Sequence, residues 1–208
     1  MNAILANPPF GGIVANNNEN NFPQNFRTKE SADLFLVLMI HLLKKDGRAG
    51  IVLPDGSLTG GGIKERVRQK LLEECNLHTI IRLPNSVFQP YATVATNLLF
   101  FTKGEPTKEV WYYEHRLPEG QKAYSKTRPL GINEFEPIIE WWNKREESEI
   151  SWKVPIQTII DRNYDLDIKN PTKQEEESIH SSAELIGMLE KSFMRSNDLL
   201  KQLKEAVR

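Results

Sequence analysis

Four short apolar runs, each stopped by a proline, a glycine or a polar turn, set the rhythm of the first half of the chain. Residues 3–6, Ala-Ile-Leu-Ala, read as a buried strand that Asn7-Pro8-Pro9 ends abruptly, because two prolines remove backbone donors and block further pairing. Residues 11–27 are rich in Asn and Gly and nearly aperiodic, the composition of a mobile loop, and a loop beside a strand end can act as a lid. Residues 34–43 are apolar on nearly every face, which predicts a helix covered on more than one side. Ser31 stands where a cap belongs, Asp33 in the first turn, and Lys44 and Lys45 before Gly47 at the end. A second strand, 48–53, breaks at Pro54 and gives way to a glycine-rich loop at 55–62. Ile63, Val67, Leu71 and Cys75 then recur every fourth residue, one inward stripe of a helix.

Residues 78–83 form a third strand, 84–93 a long connection and 96–103 a fourth strand. Strand, helix, strand, helix, strand, strand is the order of an α/β sheet with helices on its faces. No helical pattern separates the last two strands, so they are read as antiparallel. A strand at 110–113 and a helix at 134–145, capped by Asn133, follow. The polar stretch 170–178, with Asn170-Pro171 and the run Glu175, Glu176, Glu177, reads as an acidic linker. Beyond it, Ile186, Leu189, Phe193, Ser196, Leu200, Leu203 and Val207 alternate spacings of three and four, the seam of an amphipathic coiled-coil helix with one polar position. The chain is thus divided into 1–104, a small mixed extension at 105–169, the linker, and a helix at 179–208 for subunit assembly.

Lys+Arg 27 against Asp+Glu 28 gives a net charge of -1, so the whole chain lacks the footprint of a non-specific nucleic-acid binder. Contact with DNA must be local. The first 104 residues carry 11 basic and 8 acidic residues and are mildly basic. Lys64, Arg66, Arg68 and Lys70 make a basic helix stretch, either a solvated face or a phosphate contact. One cysteine, Cys75, excludes a disulfide framework, and four scattered histidines do not suggest a metal site. No run is long enough to span a bilayer, and the reading is a cytoplasmic protein with no membrane contact.

The chemistry-bearing tetrapeptide is Asn7-Pro8-Pro9-Phe10, at the carboxyl end of a buried strand, where open α/β sheets keep their ligands. Asn7 offers a side-chain oxygen and Pro8 a carbonyl whose position the proline fixes. Two such acceptors can pull on the hydrogens of an exocyclic amine and aim its weak lone pair at a methyl donor. Phe10 would stack on a base extruded from the duplex, offsetting part of the unpairing cost. The plain alternative is a strand-ending turn. Asp55, at the next strand end, is a second candidate to approach the base, against the alternative of a solvated turn residue.

Several stretches carry a family resemblance: residues 4–12 around Asn7-Pro8-Pro9-Phe10, then Ala32-Asp33-Leu34-Phe35-Leu36, Val52-Leu53-Pro54-Asp55-Gly56, Thr96-Asn97-Leu98-Leu99-Phe100-Phe101, Glu109-Val110-Trp111-Tyr112-Tyr113 and Arg162-Asn163-Tyr164-Asp165-Leu166-Asp167. In this order they resemble the modification subunit of type I restriction-modification systems, an adenine-N6 DNA methyltransferase. The resemblance implies the second half of a seven-strand S-adenosylmethionine-dependent sheet, doubly wound with its last strand antiparallel, plus a C-terminal helical tail. It gives Asn7, Pro8 and Phe10 the amine-binding, carbonyl-acceptor and base-stacking roles; with the reading of the residues themselves, the expected site is Asn7, Pro8, Pro9 and Phe10 for catalysis, Phe10 and Asp55 for the substrate and Asn7 also for the cofactor. The implied partners are double-stranded DNA, a specificity subunit docked on the terminal helix, and a restriction subunit in the full complex.

Members of that family carry, before the Asn-Pro-Pro-Phe strand, a helical domain and a glycine-rich turn that holds the methyl donor. Here Met1-Asn2 stands directly before the strand, so the expectation is a truncated gene, an expressed fragment or a split enzyme, with most of the donor site missing. The loop 56–62 fits neither phosphate-binding fingerprint. Two other readings stay open: a non-catalytic module that only docks on a specificity subunit, and an unrelated α/β enzyme in which the motif is a turn.

Overall fold

A computed structural model describes residues 1–15, 17–172 and 182–206. It divides into two compact units, 1–173 and 174–208. In the first unit, β1 (Ala3–Ala6), β2 (Arg48–Pro54), β3 (Cys75–Leu83), β4 (Thr96–Lys103), β5 (Glu109–Glu114) and β6 (Ser151–Pro155) form one sheet in the order β1-β2-β4-β3-β5-β6. β1 pairs with β2 in parallel, and β4 is inserted between β2 and β3, antiparallel to both. The expected antiparallel strand is therefore present, with neighbours on either side. β5 and β6 extend the same sheet, so it runs continuously across residue 104.

Two crossovers join the parallel strands through α1 (Ser31–Leu42) and α3 (Ile63–Glu74), which pack against each other on one face. Leu36, Val37, Met39 and Ile40 of α1 and Val67, Leu71 and Leu72 of α3 are buried there with Ile51, Leu53, Leu99 and Phe101 of the sheet. Each such side chain contributes roughly 1.5–3 kcal/mol by burial, before chain entropy is set against it. The alternation of β4 sends Leu98 and Phe100 to the other face, where Ile138, Trp141 and Trp142 of α4 (Glu136–Asn143) partly cover them. Helices thus lie on both faces of a mixed α/β sheet.

Several local expectations change. The glycine-rich stretch after β2 opens as one helical turn, α2 (Asp55–Leu58), and β3 begins at Cys75 with no loop after α3. The cap of α1 is Glu30, without a side-chain bond, because the Ser31 hydroxyl is used elsewhere. The first turn of α1, Ser31 to Leu34, is buried on every face, but beyond it Phe35, Leu38 and Leu42 leave an outward stripe that is about 40% exposed. The Asn-rich segment is folded back through two 3-10 turns, with Phe22 and Phe26 packed on the core and Arg27 donating to the Phe22 and Asn20 carbonyls. Gly131 rather than Asn133 starts the turn before α4, its N–H bonded to Glu134 at 2.8 Å. A short α5 (Ile156–Asp161) follows β6.

In the second unit, α6 (Ser182–Ala206) carries Ile186, Leu189, Phe193 and Leu200, each more than half exposed, as are Met194 and Leu199 off that seam. The side chains of Leu203 and Val207, most of the linker 170–178 and the start of the predicted helix lie outside the described residues. No described helix is long and apolar enough to cross a membrane.

Candidate active site at the carboxyl end of the sheet

β1 and β2 run parallel in the register Ala6 to Ile51, so Asn7 and Asp55 emerge at the same end of adjacent strands. β1 is an edge strand with a burial pattern that leaves Leu5 85% exposed. Asn7 is exposed, Pro8 buried, Pro9 exposed and Phe10 half-buried. The turn is pinned to the start of α1: the Ser31 hydroxyl donates to the Pro9 carbonyl at 3.2 Å, and the Ser31 N–H to the Gly12 carbonyl at 2.9 Å. Gly12 is required by this clamp, because a Cβ there would sit 2.6 Å from the Ser31 hydroxyl.

The clamp occupies two acceptors and leaves two. Neither the Asn7 carboxamide nor the Pro8 carbonyl takes a hydrogen bond from any described residue. Phe10 is held from the other side by Phe88, ring centroids 5.0 Å apart and planes at 80°. Phe88 lies in the connection from β3 to β4, which in the sequence is only a long connection; its one signal is an aromatic in a proline-containing turn at the ligand end of the sheet. That connection is a chain of tight turns, with Val87, Gln89 and Tyr91 N–H groups bonded three residues back.

Asp55 is half-buried and makes no hydrogen bond with Asn7. It is fixed by Asn97, which is fully buried and donates from Nδ2 to Asp55 Oδ1 at 2.7 Å. The Ser57 and Thr96 hydroxyls and the Asn97 amide oxygen, all buried nearby in sequence and strand order, have no partner among the described residues. The structure therefore brings the four motif residues and Asp55 to one sheet end but joins only Phe10 to a second wall.

The basic stretch of α3 is a correction. Arg68 is 2% exposed and donates to the carbonyls of Tyr164, Ser57, Thr59 and Gly60. Desolvation lowers its pKa from the ordinary arginine value. Lys64 pairs with Glu30 and Asp33, Arg66 donates to the Asn25 carbonyl, and Lys70 pairs with Glu74. None of the four cations is left without a partner on the chain. Through Arg68 the glycine-rich loop is tied inward by its carbonyls and is not an open anion cradle.

Beside Asn7 an open apolar groove of about 370 Å³ runs along the sheet face, lined by Leu5, Ala6, Val52, Leu98 and Phe100 among others. Gly50 forms its floor, where a Cβ would meet Leu5 Cδ2 at 2.9 Å and the Phe100 ring at 3.2 Å. Asn7 is its polar rim. Among the described residues no group of three or more acidic, His or Cys side chains is placed to hold a metal ion.

Comparison with known proteins gives the same neighbourhood. The family described as N-6 DNA Methylase matches residues 1–180. The type I restriction enzyme EcoEI methylase subunit of Escherichia coli is 50% identical over 212 residues, covering 99% of this chain and 43% of that protein. A structure addressing complex assembly and conformational transition of the type I R-M system superposes with a TM-score of 0.78 at 35% identity, over 99% of this chain and 45% of its counterpart. The EcoKI M protein superposes with a TM-score of 0.70 at 25% identity, over 97% of this chain and 50% of its own. The chain therefore spans half or less of the length of these relatives. With an Asn-Pro-Pro-Phe turn clamped at the carboxyl end of a mixed α/β sheet and a family match across most of its length, the chain belongs to the N-6 DNA Methylase family.

Proposed function

We propose that this chain is the target-base part of a type I DNA adenine-N6 methyltransferase, the part that receives a flipped adenine for methyl transfer from S-adenosylmethionine. The observation that carries the reading is the division of acceptors in the clamped turn: Ser31 holds the Pro9 and Gly12 carbonyls, while Asn7 and the Pro8 carbonyl stay free. Two free acceptors, of which the Pro8 carbonyl is held by its ring, suit the two hydrogens of an exocyclic amine. By drawing on both N–H bonds they favour a pyramidal nitrogen whose lone pair is turned out of conjugation with the ring and toward a methyl donor, and the Pro8 carbonyl, already in place, costs no reorganisation. Phe10, braced edge-on by Phe88, offers its face to the base, and Asp55, fixed by Asn97, supplies a further polar group at the mouth.

The donor's own pocket is only touched by this chain. Asn7 alone rims the groove with a polar side chain, and the glycine-rich loop is occupied by Arg68. The described residues therefore do not fit S-adenosylmethionine by themselves. The uncovered groove and the unpaired edge of β1 support a reading in which further chain completes both the sheet and the site. Duplex DNA, a specificity subunit seated on α6, a restriction subunit in the full complex and a cytoplasmic setting belong to the same reading.

The exposed seam of α6 favours a second reading, that the chain serves only to dock on a specificity subunit. Isothermal titration of S-adenosylmethionine into the 208-residue chain, alone and with the part of the EcoEI methylase subunit that this chain does not match, separates the two. Binding to the mixture only is the expected result. Binding to neither sample favours the docking module, and tight binding to the chain alone contradicts an incomplete donor pocket.

A further inference from the structure

Between β5 and the turn before α4 the chain makes an excursion, residues 115–131, that the proposed chemistry does not use. From Arg116 to Arg128 it carries four basic residues, Arg116, Lys122, Lys126 and Arg128, against the single acidic Glu119. It is not a loose strap. Tyr124 at its centre is 1% exposed, and its hydroxyl bridges His115 Nε2, at 2.8 Å, and the Glu134 carboxylate. The rings of His115 and Phe135 stack, and Ser125 and Arg128 exchange backbone hydrogen bonds that close a tight turn on Lys126 and Thr127.

The same tyrosine ties the excursion to the candidate site. Its N–H donates to the hydroxyl of Ser86, itself 1% exposed, at 2.9 Å. Ser86 lies two residues before Phe88, whose ring meets Phe10. Lys122 and Lys126 flank Tyr124 two residues to either side, so at ~3.8 Å per Cα step both backbones lie within about 20 Å of the Phe88 backbone. A duplex carries one phosphate charge per ~1.7 Å of axis, which puts that reach within about six base pairs of an extruded base.

The charges on this excursion are not consumed by the fold. Lys122, Lys126 and Arg128 are exposed and make no ion pair among the described residues, whereas Arg116 is engaged by Glu149. This is the reverse of α3, where each cation is held internally. Tyr91, on the turn that carries Ser86 and Phe88, is 90% exposed and adds an aromatic to the same end of the sheet. Buried anchoring beneath, free cations above and an exposed aromatic beside them are the composition of a surface that holds a phosphate backbone.

We infer that residues 122–128 form a duplex-phosphate contact surface, docked through Tyr124 and Ser86 onto the turn that positions Phe88, and that it seats the strand from which the base is drawn. The inference rests on the base-receiving role given above to Phe10. Phosphate contacts fix register and orientation without reading sequence. The excursion is thus a positioning surface, and it supplies the local basic contact that the net charge of the whole chain denies.

The test is a salt titration of duplex binding by the 208-residue chain, followed by anisotropy, with 2-aminopurine opposite an abasic position in the duplex. The triple variant Lys122→Gln, Lys126→Gln, Arg128→Gln is compared with Lys44→Gln, Lys45→Gln, Arg48→Gln, which removes equal charge at the opposite end of β2. All six side chains are exposed, so both variants are expected to fold. Removing one neutralised phosphate lowers the slope of log K against log salt by about 0.9, so the first triple is expected to reduce it by about 2 to 3, equally on any duplex sequence, and the control by less than 1. Equal slopes for the two triples, or no salt-dependent binding by the unaltered chain, would overturn the inference. Phe10→Ala is expected to keep the slope and lose the 2-aminopurine response. A fault in the base-receiving role therefore shows in the fluorescence, and a fault in the phosphate surface shows in the slope.

Discussion

The Phe10 ring meets the Phe88 ring edge to face at 5.0 Å, which joins the end of β1 to the connection between β3 and β4 across the carboxyl edge of the sheet. An aromatic pair of this kind contributes about 0.5–1.5 kcal/mol beyond its buried area, enough to fix a rotamer that solvent would otherwise scatter. The orientation of Phe10 is therefore set by a residue 78 positions away in sequence, as the proposed stacking role demands.

Gly12 and Ser31 form a coupled pair. Gly12→Ala drives a methyl group against the Ser31 hydroxyl and the Pro9 ring, and is expected to cost about 1–3 kcal/mol. Ser31→Ala removes the bond to Pro9 and costs about 1 kcal/mol. Together they should cost less than their sum, because the closest clash is removed. Urea midpoints of the two single variants and the double variant measure this, and strict additivity would contradict the clamp.

Arg68 is the internal tie of the loop after β2. Arg68→Met leaves four carbonyls without their donor and is expected to destabilise the chain by about 3–5 kcal/mol. Arg68→Lys is expected to recover only a small part, since one ammonium cannot reproduce the planar fork. Thermal melts of both variants check the ranking; a neutral Arg68→Met would return this residue to the surface.

Acid sensitivity is expected from His78. Burial and the neighbouring Arg145 depress its pKa to about 4, from the ordinary 6.5. The native state thus holds the ring neutral while the unfolded chain takes a proton, so this stability is complete above pH 6.5 and is lost as the pH falls toward 4. For a partly buried, solvent-screened ring the loss is on the order of 1–2 kcal/mol. His78→Gln should flatten that limb of a stability–pH curve relative to the unaltered chain. A parallel pair of curves would show that the ring takes its proton equally well when folded.

The strands and helices that the proline and glycine stops delimit were legible in the sequence, because patterning and punctuation agree there: β1, β2, β4, α1 and the inward stripe of α3. The antiparallel pairing of β4 with β3 was legible from the missing helix between them, whereas its insertion between β2 and β3 was not. What the pattern hid was tertiary. Arg68 carries the same charge as Lys64, Arg66 and Lys70, and only the fold decides that one of them is buried. Ser31 has the composition of a cap, yet its hydroxyl is drawn to Pro9 by a turn 22 residues earlier. Phe88 sits in an aperiodic, proline-containing connection where no repeat marks one face. The motif itself was visible as chemistry, but its second wall and its clamp come from segments that only the folded chain brings to it.

Methyl transfer to an adenine-containing duplex by this chain together with the part of the EcoEI methylase subunit that it does not match tests the central claim most directly, comparing Asn7 with Asn7→Ala. The expected result is a fall of at least about 100-fold, the usual loss on removing one preorganised hydrogen-bonding group, with unchanged assembly of the two parts on a sizing column. Undiminished methylation by Asn7→Ala would contradict the role assigned to the turn at the end of β1.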